Sequence, residues 1–112
     1  MRFEVKSVPI ELPLYSLLEV SNTVVRRAAA SRRSNAAYLF SEHSLAEKAL
    51  KSLDDSALRV VEHADRDRLA NFLEELETDH GLTHVIVDPN LELNKHAWEA
   101  SIANMIAQLR EE

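Results

Sequence analysis

The chain of 112 residues has no cysteine and one glycine, Gly81. Without cysteine there is no disulfide framework, no thiol nucleophile and no zinc–thiolate site. Phosphate-cradling loops of the P-loop or dinucleotide type need several glycines at fixed spacing, because backbone must approach the phosphates closely, so these classes are excluded. Aromatic residues make up only 5% of the chain, and 13 Lys and Arg face 19 Asp and Glu, for a net charge of −6. An acidic domain with few stacking side chains is not expected to bind nucleic acid. No apolar run approaches the roughly 20 residues that span a bilayer. Glu4, Lys6 and Glu11 interrupt the apolar residues of the N-terminus, which lacks the pattern of a signal peptide. These absences lead us to expect a cytoplasmic protein without membrane association.

What is present suits a soluble globular domain: 46% hydrophobic and 29% charged residues, in a length that one domain (1–112) accommodates. Three phrases each begin with a short apolar run and continue at helical spacing. Ala36–Phe40, Leu58–Glu62 and residues 83–88 read as strands. After the first, Ser44 (or Ser41) offers a cap for a helix whose stripe is Leu45, Ala46, Ala49, Leu50 and Leu53, ending at Asp54-Asp55-Ser56. After the second, Asp65 caps a helix with Leu69, Phe72, Leu73 and Leu76 inward, closed by Gly81. Val85 and Val87 alternate with His84 and Ile86, which predicts a central strand covered on both faces. Asp88-Pro89-Asn90 turns the chain, and Leu91–Leu93 offers a short extension of the sheet.

Outside this unit, residues 2–8 alternate as an edge strand interrupted by Pro9. From Pro13 the spacing of Leu14, Leu17, Leu18, Ser21, Val24, Val25 and Ala28 predicts a helix ending near Ala30. Trp98, Ile102, Met105, Ile106 and Leu109 predict a C-terminal amphipathic helix. The expected fold is a single α/β domain of order β-α-β-α-β-α-β-α, with a four-stranded mixed or mostly parallel sheet and about four helices.

The aromatic strand ending Phe40-Ser41, Leu45 in the following helix, Val60-Val61, Leu69 and Leu73, Gly81 and the closing Asp88-Pro89-Asn90 together resemble the N-terminal domain of the SseB family, linked to enhanced serine sensitivity in bacteria. The resemblance covers residues 38–95. Asp88 stands where that family more often has Asn, and the usual glycine after the proline is absent. The resemblance implies an α/β interaction or scaffold module and carries over no catalytic residue.

If the three strands run parallel, their ends deliver Ser41, Glu42, His43, His63, Asp65, Asp88 and Asn90 to one edge of the sheet, where open α/β sheets place ligands. Of these, His43, His63, Asp65 and Asp88 combine imidazole with carboxylate, the chemistry of a small-ligand or metal site, hydrolytic in its most specific form. The plainer roles of the same residues are helix caps and turn formers. His80 and His84 are four apart, but Gly81 between them breaks the helical geometry that would let them share an ion. Arg26, Arg27, Arg32 and Arg33 form the one dense basic cluster, and Trp98 is the aromatic best suited to anchor a partner. No motif requires a cofactor. The leading expectation is a noncatalytic, self-associating interaction module, a homodimer or the partner of another protein; the alternative is the site at the sheet edge.

Overall fold

The computed structural model describes residues 2–5, 8–31, 33–89 and 98–111, with backbone alone for 2–5, 8–10 and 98. Its elements in chain order are β1 (Arg2–Val5), β2 (Val8–Glu11), β3 (Leu14–Ser21), β4 (Val24–Ala28), β5 (Ala30–Ser31), β6 (Ala36–Leu39), α1 (His43–Leu53), β7 (Arg59–His63), α2 (Arg66–His80), β8 (His84–Val87), β9 (Trp98–Ser101) and α3 (Ile102–Arg110). The domain is mixed α/β, and the four-stranded sheet β5-β6-β8-β9 is mixed, with β6 and β8 as its parallel pair. A three-stranded sheet β4-β3-β7 is antiparallel throughout.

The helix expected over 14–30 is instead a β-hairpin. Leu14, Leu17 and Leu18 are all buried in β3, as is Ser16 between them. A strand covered on both faces loses the apolar–polar alternation that identifies strands, and its run of leucines then imitates helical spacing. The local signal lay in Asn22-Thr23. Both residues have positive φ, 52° and 64°, and Ser21 pairs directly with Val24, the two-residue turn whose twist suits a hairpin.

The N-terminal segment also differs from expectation: it forms two strands, and Pro9 lies within β2 opposite Glu4. A two-stranded ribbon is all edge, so the missing N–H of proline can be tolerated there. The C-terminal helix begins four residues later than Trp98, which opens β9 opposite Val87. Residues 90–93 lie outside the described residues.

The two sheets meet at β3. Tyr15 and Phe40 exchange backbone hydrogen bonds of 2.8 Å, while Ala29 donates to Leu17 and accepts from Tyr38. Because β7 is antiparallel to β3, and the Tyr15–Phe40 bridge is antiparallel too, β6, β7 and β8 point the same way. Alternation along β3 then divides its side chains between two apolar clusters. Leu14 and Leu18 join Leu69, Leu73 and Leu76 of α2 and Ile102, Met105 and Leu109 of α3. Leu17 joins Phe40, Ala46, Ala49 and Leu58 beside α1.

Helix α1 departs from its expected face and cap. Ala46 and Ala49 are buried while Leu45 is 37% exposed, so small side chains let the helix approach the sheet closely. Its N-cap residue is Glu42, with no side-chain capping bond, while Ser44 lies inside the helix and Ser41 bonds elsewhere. Helix α2 follows its local signals: the Asp65 carboxylate accepts from Arg68 N–H at 2.9 Å, and Gly81 closes the helix at φ 67°. Arg66 donates to the carbonyls of Gln108, Leu109 and Glu111, satisfying the orphan acceptors at the end of α3.

The hairpin makes a discriminating prediction. Thr23→Gly should stabilise the protein by about 1 kcal/mol, because it relieves a β-branched residue at positive φ. A helix over this segment would be destabilised by the same change. Urea unfolding decides between them.

Candidate functional site

His43, His63, Asp65 and Asp88, expected together at the sheet edge, each have a partner of their own. The ends of β6 and β8 do meet: Ser41 donates from its N–H and its hydroxyl to the two carboxylate oxygens of Asp88, at 2.8 and 2.7 Å. Asp88 reaches this position in the left-handed conformation, φ 53°, with its own N–H bonded to Leu39 C=O. The clasp ties the parallel pair together beyond its last ladder bond and occupies both carboxylate oxygens. Asp65 is engaged as the cap of α2. Exposed His43 stands edge-on to Tyr15 and lies 3.6 Å from Glu47 on the next turn of α1.

His63 points the other way, into the protein. Its Nε2 shares a 2.6 Å hydrogen bond with Ser16 Oγ, itself 2% exposed, and its ring stacks on Phe72 at 4.4 Å between centroids. Burial pushes its pKa down to about 4, so the ring is neutral at physiological pH. A serine hydrogen-bonded to a neutral histidine has the parts of a nucleophile and its base. Ser16 is nevertheless enclosed between β7 and α2, where no substrate reaches it, and the pair serves to satisfy two buried polar groups. Among the described residues no three His, Asp or Glu side chains are placed to hold a metal ion. His84 bonds to Thr83 Oγ1 at 2.8 Å, a partly buried sheet residue as its sequence position implied.

The basic cluster is more informative. Leu18 and Glu19 pair with Ala28 and Arg27, whereas Val20 and Ser21 pair with Val25 and Val24. The one-residue shift leaves Arg26 opposite no residue of β3, as a β-bulge. Neighbouring residues on a regular strand face opposite sides, and a bulge removes that alternation. Arg26 and Arg27 consequently line one cleft of about 360 Å³, together with Tyr38, Asp55 and His80. Arg27 is held there by two carboxylates: Asp55 at 2.7 Å and Glu19 at 3.1 Å. Hydrogen bonding from Arg27, then from the Ala57 N–H, keeps the Asp55 carboxyl below its usual range. Arg33 is exposed and lines no part of this cleft. Arg32 lies outside the described residues, as do Asn90 and the side chain of Trp98.

The sequence located the arginines but not the bulge that groups them, nor Tyr38, Asp55 and His80 beside them. A scan of protein-family models and a search of curated proteins find no match to this chain.

The buried histidine sets a pH dependence. Because the folded pKa lies near 4 and the unfolded value near 6.5, the unfolded chain binds the extra proton between them. This contribution is therefore complete above about pH 6.5 and is lost as pH falls toward 4, with about 2 kcal/mol gone between pH 7 and pH 5. His63→Gln, which keeps a hydrogen-bonding group without the titration, should remove that segment of the stability–pH curve. An unchanged curve measured by urea unfolding would show that His63 is not the titrating group.

Proposed function

We propose that the domain is a noncatalytic interaction module that pairs with a second copy of itself through β7. The observation that carries this reading is the outer side of β7: among the described residues, Arg59–His63 pair with β3 and with no other strand. The unpaired N–H and C=O groups of such an edge are a template for another strand. Proteins commonly block edges with proline, lysine or a bulge, and β7 has none of these, whereas the opposite border, β4, carries a bulge.

A helix-to-helix interface has less to support it. Large apolar side chains exposed among the described residues are Val24 on β4 and Leu45 and Leu53 near the two ends of α1, the latter two about 12 Å apart along the helix axis and so not one continuous patch. Val60 and Val61, by contrast, are partly buried on opposite faces of the β7 edge and would each be covered further by an added strand. In a two-fold antiparallel pairing centred on Val61, Val61 meets its own copy, Val60 lies opposite Glu62, and Arg59 lies opposite His63. That register places no like charges face to face, since His63 is neutral. The resemblance of residues 38–95 to the SseB N-terminal domain points toward the same kind of role. No helix among the described residues is long and apolar enough to cross a membrane.

The absence of cysteine makes the test clean. Val61→Cys should form an intermolecular disulfide on mild oxidation, because the two-fold axis brings the two side chains together. Glu77→Cys, on the exposed side of α2, should not. Sedimentation of the unmodified protein should show mass rising toward the dimer with concentration. A single-chain mass up to near-millimolar concentration, with equal crosslinking of both variants, would end the proposal.

A further inference from the structure

The bulged arginine carries an inference that is independent of the β7 edge and shares no residue with it. We infer that the cleft beside β4 is a binding site for a small organic anion, a carboxylate or phosphate monoester head on an apolar body, with Arg26 as its principal anchor.

Three of the residues that line this cleft, Arg26, Tyr38 and His80, have polar side chains without a partner among the described residues. Their neighbours do not share that freedom, since Arg27 is bonded to Asp55 in the cleft and to Glu19, which does not line it. Among the lining residues the unpaired charge is that of Arg26, whose planar fork of donors matches the two oxygens of a carboxylate or phosphate. Desolvation raises the pKa of Tyr38 above the ordinary phenol value, so its hydroxyl stays protonated and available to donate. The remaining lining residues are apolar: Ala28, Ala29, Ala30, Leu53, Leu58 and Leu82. Such a combination of an apolar lining and a few convergent polar groups, at a volume within the roughly 300–1,000 Å³ of small-molecule clefts, is what ligand sites share.

Two helix ends approach the same region, since Leu53 closes α1 and His80 closes α2. Their partial negative charge opposes an anion. The Asp54 N–H is bonded to Leu50 C=O, and the Gly81 and Leu82 N–H groups to Leu76 C=O, and the field of such an end fades within one turn. A full charge with five donors on Arg26 outweighs it. The bulge supplies the structural reason for the site: bulges recur where a strand must re-aim a side chain, and here the inserted residue is the unpaired arginine itself.

Phenyl phosphate titrated into the ¹⁵N-labelled full chain tests the inference. Saturable shifts are expected at the amides of Ala28, Ala29, Ala30 and Leu82. Inorganic phosphate, which lacks the apolar body, should bind at least about tenfold more weakly, and Arg26→Gln should weaken phenyl phosphate by about tenfold or more, the equivalent of one charge-assisted hydrogen-bonded contact. Tyr38→Phe removes one hydroxyl and should weaken binding severalfold while leaving the spectrum dispersed. No saturable shift at these amides, shifts centred elsewhere, or wild-type affinity in Arg26→Gln would each overturn the inference. The β7 crosslink should form equally in the Arg26 variant, so the two proposals fail separately.

Discussion

The burial of β3 on both faces is the constraint on which the rest of the domain depends. Leu14 and Leu18 enter the cluster under α2 and α3, and Leu17 enters the cluster under α1. The same strand pairs with β4 and β7 and, through Tyr15, bridges to Phe40 at the end of β6. Its leucines thus hold both helical flanks, and its backbone joins both sheets. Each fully buried leucine contributes roughly 1.5–3 kcal/mol of burial, so three in one short strand are comparable with the net stability of a small domain.

One polar residue inside that strand sets the chemistry around it. Ser16 is buried between leucines and must find a hydrogen-bonding partner, because an orphan hydroxyl in such a place costs about 1–3 kcal/mol. His63, two strand residues beyond Val61 on β7, supplies it, and Phe72 of α2 covers the imidazole. The consequence is a neutral histidine committed to the interior, leaving the outer side of β7 defined by backbone groups rather than by side-chain chemistry. The clasp of Ser41 on Asp88 acts in a similar way where β6 and β8 end. Residues that resemble an active site when read along the chain are used to hold strand ends and helix starts.

The surface that remains divides by border. At β7 the outer backbone pairs with no strand among the described residues. At β4 the bulge blocks further strand addition and releases Arg26 from its cross-strand register, beside a cleft formed where α1 and α2 end. A single irregularity therefore makes one border unsuitable for strand pairing and suitable for a ligand, which is why the two proposed activities fall on different strands.

Local signals in the sequence were sufficient for the elements whose ends are capped by their own residues. Asp65 and Gly81 bound α2, Asp54 ends α1, and Val85, Ile86 and Val87 mark β8 as a strand covered on both sides, because capping and two-sided burial are written in adjacent residue types. The repeated strand–helix phrasing suggested parallel strands, and β6 and β8 do run parallel so that Ser41 and Asp88 meet where they end. It did not show that β7 belongs to the other sheet and turns His63 inward. Residues 14–31 were not legible, since Leu14, Leu17 and Leu18 satisfy a helical period and a doubly buried strand equally well, and only the presence of α1 on one side and α2 with α3 on the other decides between them. The partners of His63 and Asp88, the insertion of β3 between β6 and β7, and the bulge at Arg26 are decided by contacts tens of residues apart. Such contacts leave no periodic trace in the chain, so tertiary packing alone determined which of its polar residues hold the fold and which stay free to bind.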